Sequence, residues 1–399
     1  MYVIRDLFST ISSVATLEAV MVWGPRQVGK TTMLSQLPMK SEIYLDDLHL
    51  RHRAQTDPEF LLSESALPCL IDEVQYAPNL FPEVKKLIDR KRREELHNKK
   101  SLTTLYYFTG SNKTLLDLNV KESLAGRCQL FTLHGLSVNE VSRAFPDITI
   151  KQILIKGGFP QLYTTEQLSP IHYLNDYITS YLEKDIALSA GIQKVGEYET
   201  FMRLLGARTA QFLNVSDICQ ASRVNHSTVN SWIHLLVQNR IVDLVTPYLT
   251  NLSSRIVKMP KLHFLDLGLC SRLQGHVEQE ALWNSPQSGA LFESLVYSEI
   301  LKTRDHFVRD WQIFTWRTKD GAEIDFIVAQ GNKKLLIEAK LGIQSARPIV
   351  LDPEAKKVFT KDYELIVVTA GGESKGLGSE TTAVPIKKLA NYLLKYFET

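Results

Sequence analysis

Between an apolar run, Ala19 to Trp23, and a helix-forming stretch opening at Lys30, the chain reads Gly24-Pro25-Arg26-Gln27-Val28-Gly29-Lys30-Thr31. This satisfies the spacing G-x-x-x-x-G-K-[ST] at every fixed position. Few short patterns restrict a fold as tightly, because the pattern demands a strand, a close loop and a helix in that order. The glycines let the backbone wrap round a phosphate chain, with successive N–H groups pointing inward at its oxygens. Lys30 is predicted to reach the β- and γ-phosphates and Thr31 to hold Mg²⁺ through its hydroxyl. Thr32 follows in the same turn, and the helix directs the positive end of its dipole at the anion.

A strand is expected at Glu42 to Leu45, after an amphipathic helix over Tyr2 to Leu17. The run Leu67-Pro68-Cys69-Leu70-Ile71-Asp72-Glu73 ends in two carboxylates. At the carboxyl end of a parallel strand beside the loop, Asp72 is placed to position Mg²⁺ and Glu73 to polarise an attacking water. Alone, the same run is equally a strand ending in a turn. A further buried strand, Leu102 to Thr109, leads into Gly110-Ser111-Asn112. Ser111 or Asn112 is there either a γ-phosphate or water sensor or a cap on the next helix. Arg127, before the strand Gln129 to Leu133, either stabilises charge on the γ-phosphate, in cis or across a subunit boundary, or makes a surface ion pair. Glu83 to Lys100 reads as a basic helix with a solvated face.

A length of 399 residues accommodates two to four domains. The formal net charge of +2 gives no global pull toward nucleic acid, so such contact requires a local patch. Cys69, Cys128, Cys219 and Cys270 form no C-x-x-C pair, which predicts reduced thiols, no structural zinc and a cytoplasmic setting. Arg5, Asp6 and Glu18 interrupt the first twenty residues, so no signal peptide is expected. No apolar run is long enough to span a membrane.

The combination GPRQVGKTT, LIDEVQYAPNLFPEVKKLID, FTGSN, SLAGR and GGFP resembles a bacterial and archaeal family of AAA-type P-loop ATPases whose second half was long labelled as of unknown function. The resemblance implies ATP as the nucleotide and the roles given for Lys30, Thr31, Asp72, Glu73 and Arg127. It names no substrate.

In the middle of the chain, Tyr173, Tyr177 and Tyr181 recur every four residues and are expected to pack in a core. Ser216 and Ser227 are read as caps of two short helices, the second burying Val229, Ile233 and Leu236. Two strands, Ile241 to Tyr248 and Arg255 to Val257, complete a winged-helix pattern. Its second helix offers few cations, so packing or oligomer contact competes with DNA binding. His226, His234 and His263 lack ligand spacing.

A second chemical signal lies in Glu323-Ile324-Asp325-Phe326-Ile327-Val328, then Gly331-Asn332, then Lys334 to Lys340. Gly-Asn between alternating strands is a two-residue hairpin signal. Pairing Gln330 with Lys333 puts Asp325 across from Glu338 and Glu323 across from Lys340. Like charges so placed are destabilising unless neutralised, and a divalent cation, Mg²⁺ or Mn²⁺, would neutralise them. This D…ExK pattern resembles the PD-(D/E)XK nuclease fold. The resemblance implies one more carboxylate from a preceding helix, Glu293, with Glu299 the weaker candidate, and Lys340 as the catalytic cation. Ile324 stands where many members have proline.

The expected fold is therefore α/β and multidomain. It comprises a P-loop AAA-type ATPase domain over residues 1–160, a helical and winged-helix region over 161–278, and an α/β restriction-endonuclease-like domain over 279–399. The chain is read as an ATP-dependent machine or switch acting on DNA or RNA, and as a candidate homo-oligomer. Against this stands a regulatory switch whose C-terminal domain binds a partner without cleaving it.

Overall fold

Along Ala19–Trp23 (β1) successive side chains enter different cores. Ala19, Met21 and Trp23 pack with Phe81 and Phe108, while Val20 and Val22 pack with Leu7, Met33 and Phe131. A strand buried on both faces belongs inside a parallel sheet covered by helices. The computed structural model bears this out, and it describes all residues but 14–17, 99–102, 112–122, 187–194, 249–258, 319–320, 343, 379 and 399.

The chain falls into two compact units. The first is Ile4–Gly135 with Asp305–Val308. Its five parallel strands are β1, Ser41–Tyr44 (β2), Cys69–Asp72 (β3), Tyr106–Gly110 (β4) and Cys128–Thr132 (β5), ordered β2-β3-β4-β1-β5. Because β4 lies between β1 and β3, the residues after β4 emerge between the glycine loop and the Asp72-Glu73 pair. The expected strands are present, β1 with the bounds expected and the others with bounds that differ by one to four residues. The first helix is Asp6–Ser13, so the expected helix starts four residues late, with residues 2–5 not helical, and its expected end falls on residues 14–17, outside those described.

The second unit is Met1–Val3, Leu136–Arg304 and Arg309–Thr399. The break thus comes at Gly135, ahead of the expected 160, because helices Val138–Ala144 and Ile150–Lys156 bury Val138, Val141, Ile153 and Leu154 in this unit's core. The tyrosine stripe is core, with Phe159 ring centroids 5.5 Å from Tyr173 and 4.6 Å from Tyr177.

Helices Val215–Ser222 and His226–Gln238 lie in the chain between the first and second strands of a small sheet, Gln211–Phe212 (β6), Val242–Val245 (β7) and Lys261–Phe264 (β8), ordered β6-β8-β7. Val229, Ile233 and Leu236 are buried as expected, and Trp232 joins them against Tyr198 and Phe201. The caps are corrected. Asn214 accepts from Ser216 N and Asp217 N, and Asn225 accepts from Thr228 N, so each helix starts one or more residues before the serine that was expected to cap it. Arg255 to Val257 lies outside the described residues, and the described partner of β7 is β8.

The remaining strands are Gln312–Arg317 (β9), Glu323–Gln330 (β10), Lys333–Lys340 (β11), Tyr363–Thr369 (β12), Lys375–Leu377 (β13) and Thr381–Pro385 (β14), ordered β13-β14-β12-β11-β10-β9. The hairpin register is the one expected, Gln330 opposite Lys333 and Phe326 opposite Ile337. No described helix is long and apolar enough to cross a membrane, and all four cysteines are free.

Candidate active site

Gly24 is required by close approach: a Cβ there would lie 2.0 Å from the Leu133 carbonyl oxygen on the neighbouring chain segment. Gln27 and Gly29 both take left-handed backbone, with φ of 63° and 88°, which turns the loop into the helix Lys30–Leu34. Lys30 is buried, and its Nζ donates to the carbonyls of Gly24 at 3.1 Å and Pro25 at 2.9 Å. Burial pushes its pKa below the ordinary lysine value, against the opposing pull of Glu73 and Asp72. Val28 is buried beneath the loop, whereas Gln27 and Thr32 are exposed and Pro25 and Arg26 half-buried.

The carboxyl ends of β3 and β4 meet this loop. Thr31 Oγ1 donates to Asp72 Oδ1 at 2.5 Å, and Thr109 Oγ1 donates to the same oxygen at 2.6 Å. Thr109 Oγ1 also accepts from Glu73 N at 2.9 Å, and Ser111 Oγ donates to Glu73 Oε2 at 3.0 Å. Gln75 Nε2 donates to Glu73 Oε2 as well, and to Ser111 Oγ at 3.3 Å. Glu73 itself holds a left-handed φ of 50°, an uncommon state for a non-glycine residue. Burial raises the Asp72 pKa, while the Thr109 and Thr31 hydroxyls pull it back. Lys30, Thr31, Asp72, Glu73 and Ser111 are thus brought together, and Asn112 lies outside the described residues. Thr109 and Gln75 were missed by sequence reasoning.

Arg127 stands elsewhere. It immediately precedes β5, and its carbonyl accepts from Ala19 N at the start of β1, so it lies at the amino edge of a parallel sheet whose carboxyl edge carries the loop. Its guanidinium grips Asp89 at 2.7 and 3.0 Å. Of the readings left open by the sequence, the surface ion pair is present, and the role in cis does not fit a side chain at this edge. The basic helix is Leu80–Asn98, where Lys86 pairs with Glu83, Lys91 with Glu94 and Arg92 with Glu18.

In the second unit, Glu293, Glu323, Asp325, Glu338 and Lys340 line one cleft of about 610 Å³. The register of β10 against β9 shifts between Ile324 and Ile327, a bulge that re-aims the Asp325 carboxylate. Asp325 Oδ2 accepts from Ala339 N at 2.8 Å. Lys340 pairs with Glu338 at 3.2 Å on its own strand. The sequence reading assigned a divalent ion to neutralise this crowding, and the structure brings a side chain to it. Lys261 of β8 enters the cluster, its Nζ 2.5 Å from Glu293, 2.5 Å from Glu323 and 3.9 Å from Asp325. Burial and the neighbouring Asp325 raise the Glu293 pKa to about 8 and that of Glu338 to about 7. Among the described residues no three His, Cys, Asp or Glu side chains are arranged to hold a metal ion, so the ligand set Glu293, Asp325 and Glu338 is not formed in this conformation. Glu299 is apart from the cluster, buried with Lys302 at 2.9 Å and accepting from Val138 N.

Residues 17–142 match the family model of an AAA domain. The N-terminal third is a P-loop ATPase domain of the AAA type. Residues 148–280 and 288–389 match two further models, each described only as a domain of unknown function (DUF8612 and DUF4143). Two uncharacterized proteins, of Mycobacterium bovis and Mycobacterium tuberculosis, are each 29% identical over 374 residues, 93% of this chain and 80% of theirs. The solved ORC2 protein of Aeropyrum pernix aligns with 12% identity over 70% of this chain and 92% of its own, at a TM-score of 0.30. That superposition is too distant to bear on fold or function.

Proposed function

We propose that the chain is an ATP-hydrolysing switch in which Lys30 binds the β- and γ-phosphates, Glu73 orients and polarises the attacking water, and Ser111 senses the γ-phosphate. The observation that carries this reading is the relay from Thr31 through Asp72 and Thr109 to Glu73 and Ser111, assembled beside the glycine loop. A hydroxyl and a carboxylate sharing one short hydrogen bond are the oxygen pair suited to Mg²⁺, so Thr31 and Asp72 would hold it. Bound with the nucleotide, Mg²⁺ supplies neutralisation of phosphate charge. This chain's own residues do the rest. The loop N–H groups orient the phosphates, Asp72 fixes Thr31, and Thr109 anchors the Glu73 peptide. Arg127, at the far edge of the sheet, is left either a role across a boundary between copies or the ion pair with Asp89 alone.

The test is ATP turnover in the full chain. Lys30→Ala is expected to lower it by about 10²–10³. Glu73→Gln is expected to retain nucleotide and lower turnover by about 10²–10⁴. Undiminished hydrolysis in both variants removes the assignment.

For the second unit, the reading supported best is a winged-helix module joined to a nuclease-like sheet that binds a partner without cutting it. The order of helix, β6, two helices, β7 and β8 supports the first part, and the β9-β10-β11 meander with β12 and β14 parallel beyond it supports the second. The exposed end of helix His226–Gln238 offers Asn225, His226, Ser227 and Asn230, a polar rather than cationic surface. DNA and RNA are therefore the macromolecules to test first and not assumed. Incubation with each in Mg²⁺ or Mn²⁺ is expected to give no cleavage, and divalent-dependent cutting abolished by Asp325→Ala would overturn this reading.

A further inference from the structure

A lysine ammonium buried this deeply needs a counter-charge, and one carboxylate would suffice. Lys261, with its side chain 4% exposed, instead meets oxygens from three. They come from separate places: Glu293 from helix Ser288–His306, Glu323 from the start of β10, and Asp325 from the bulge within it. Asp325 spends Oδ2 on Ala339 N and turns Oδ1 toward the ammonium. The lysine is equally constrained on its own side. β8 is the central strand of its sheet, paired with β6 through Lys261 and Leu262 and with β7 through Lys261 to Phe264. The side chain therefore enters from a rigid element rather than from a loose loop.

We propose that Lys261 is the resident cation of this carboxylate cluster, so that its ammonium and a divalent ion are mutually exclusive occupants and β8 keeps the cluster closed. The physical reason is shared oxygens. Glu323 Oε1 accepts a hydrogen bond from the ammonium and Glu293 Oε1 pairs with it by charge at 2.5 Å, so a divalent ion on the same oxygens would set two like charges almost in contact. Lys261 helps to line the cleft of about 610 Å³ together with Glu293, Glu323 and Asp325, so withdrawal of this one side chain would open the three carboxylates to the cleft. The lysine thereby does two things at once. It fastens the central strand of the three-stranded sheet to the six-stranded one, and it replaces the ion that the hairpin pattern would otherwise call for. This goes beyond the nucleotide reading and does not depend on it.

The test uses the full chain without nucleotide and Mn²⁺ as the probe. At Mn²⁺ concentrations well below millimolar, the parent is expected to take up no Mn²⁺ that Asp325→Asn removes. Lys261→Met is expected to gain one Mn²⁺ with uptake at least about tenfold tighter, and Lys261→Met combined with Asp325→Asn to lose it again. Tight Mn²⁺ uptake by the parent that Asp325→Asn abolishes, or no gain in a folded Lys261→Met chain, overturns the proposal. Should Lys261→Met fail to fold, amine labelling of the parent read by mass spectrometry decides. Lys261 is expected to label at least about tenfold more slowly than Lys340 and to speed up in millimolar Mn²⁺. Equal labelling of the two lysines, or a Lys261 rate indifferent to Mn²⁺, would sink it. ATP turnover is expected to be unchanged in Lys261→Met, which separates this outcome from failure of the nucleotide reading.

Discussion

Two buried lysines, one in each unit, sit among carboxylates and are held in opposite ways. Lys30 donates to the carbonyls of its own loop, Gly24 and Pro25, and feels Asp72 and Glu73 only through their charge. Lys261 takes three carboxylates at once. Burial dominates at Lys30 and lowers its pKa. At Lys261 burial also acts to lower it, but Glu293, Asp325 and Glu323 together outweigh that and raise it. A cation held by neutral dipoles keeps its charge available to an incoming anion, whereas one already surrounded by anions has nothing left to offer. The first arrangement is a binding site in waiting and the second is a clasp.

That contrast predicts opposite consequences for the same substitution. Lys261→Met leaves Glu293, Glu323 and Asp325 crowded without their cation, and removing one partner of a buried ion cluster costs about 3 kcal/mol. Scanning calorimetry of the full chain should show the transition of the second unit falling by roughly 5–10 °C. Lys30→Met removes a desolvated charge with no carboxylate partner, so without nucleotide the transition of the first unit should stay level or rise. A fall of similar size in both would erase the distinction. A fall only in the Lys30 variant would reverse it.

A smaller effect sharpens the waiting-site half of the comparison. Thr109 is fully buried, and its hydroxyl joins Asp72 Oδ1 to the Glu73 N–H. Thr109→Val keeps the volume but leaves that N–H without its acceptor, at a cost of about 1–3 kcal/mol. Since Glu73 holds an uncommon backbone state, loss of its anchor should lower ATP turnover by about tenfold while nucleotide affinity, measured by fluorescence titration, changes little. Equal loss of both would make Thr109 a general packing residue.

The difference between Lys30 and Lys261 also explains what the sequence disclosed. Everything about Lys30 is local. The fixed glycines, the strand before and the helix after lie within one short window, and the glycine at position 24 was legible before its contact with Leu133 was known. The hairpin was legible for the same reason, since Gly331-Asn332 sets the register of its flanking strands. Thr109 was not, because its role arises only when β4 is inserted between β1 and β3, an order that no local pattern encodes. Lys261 was hidden more deeply. It belongs to a strand lying just past residues expected to form the wing, and its partners sit in a helix and a hairpin of another sheet. The sequence pointed to crowded carboxylates at Asp325 and Glu338 but not to the side chain brought among them from another sheet, Lys261 beside Asp325, while Glu338 pairs with Lys340 of its own strand. The three-module division was only partly legible, because helices 138–144 and 150–156 follow a chain segment of the first unit yet bury their apolar faces in the second.

The smallest expected effect concerns Arg127, which neither lysine site includes. Its bidentate grip on Asp89 lowers that carboxyl's pKa and is partly exposed, so water screens much of the attraction. Arg127→Ala should therefore cost no more than about 1 kcal/mol of stability. At low protein concentration it should leave ATP turnover unchanged, because the residue stands at the edge of the sheet opposite the phosphate loop. Turnover measured per chain across a wide range of concentration separates the two remaining roles. If the parent speeds up as copies meet and Arg127→Ala does not, the arginine completes a neighbour's site. If the two curves coincide throughout, the ion pair with Asp89 is its whole function. If the variant is slow even when dilute, the sheet geometry assigned to β1 and β5 is wrong, because no side chain on that edge can reach across the sheet to the loop.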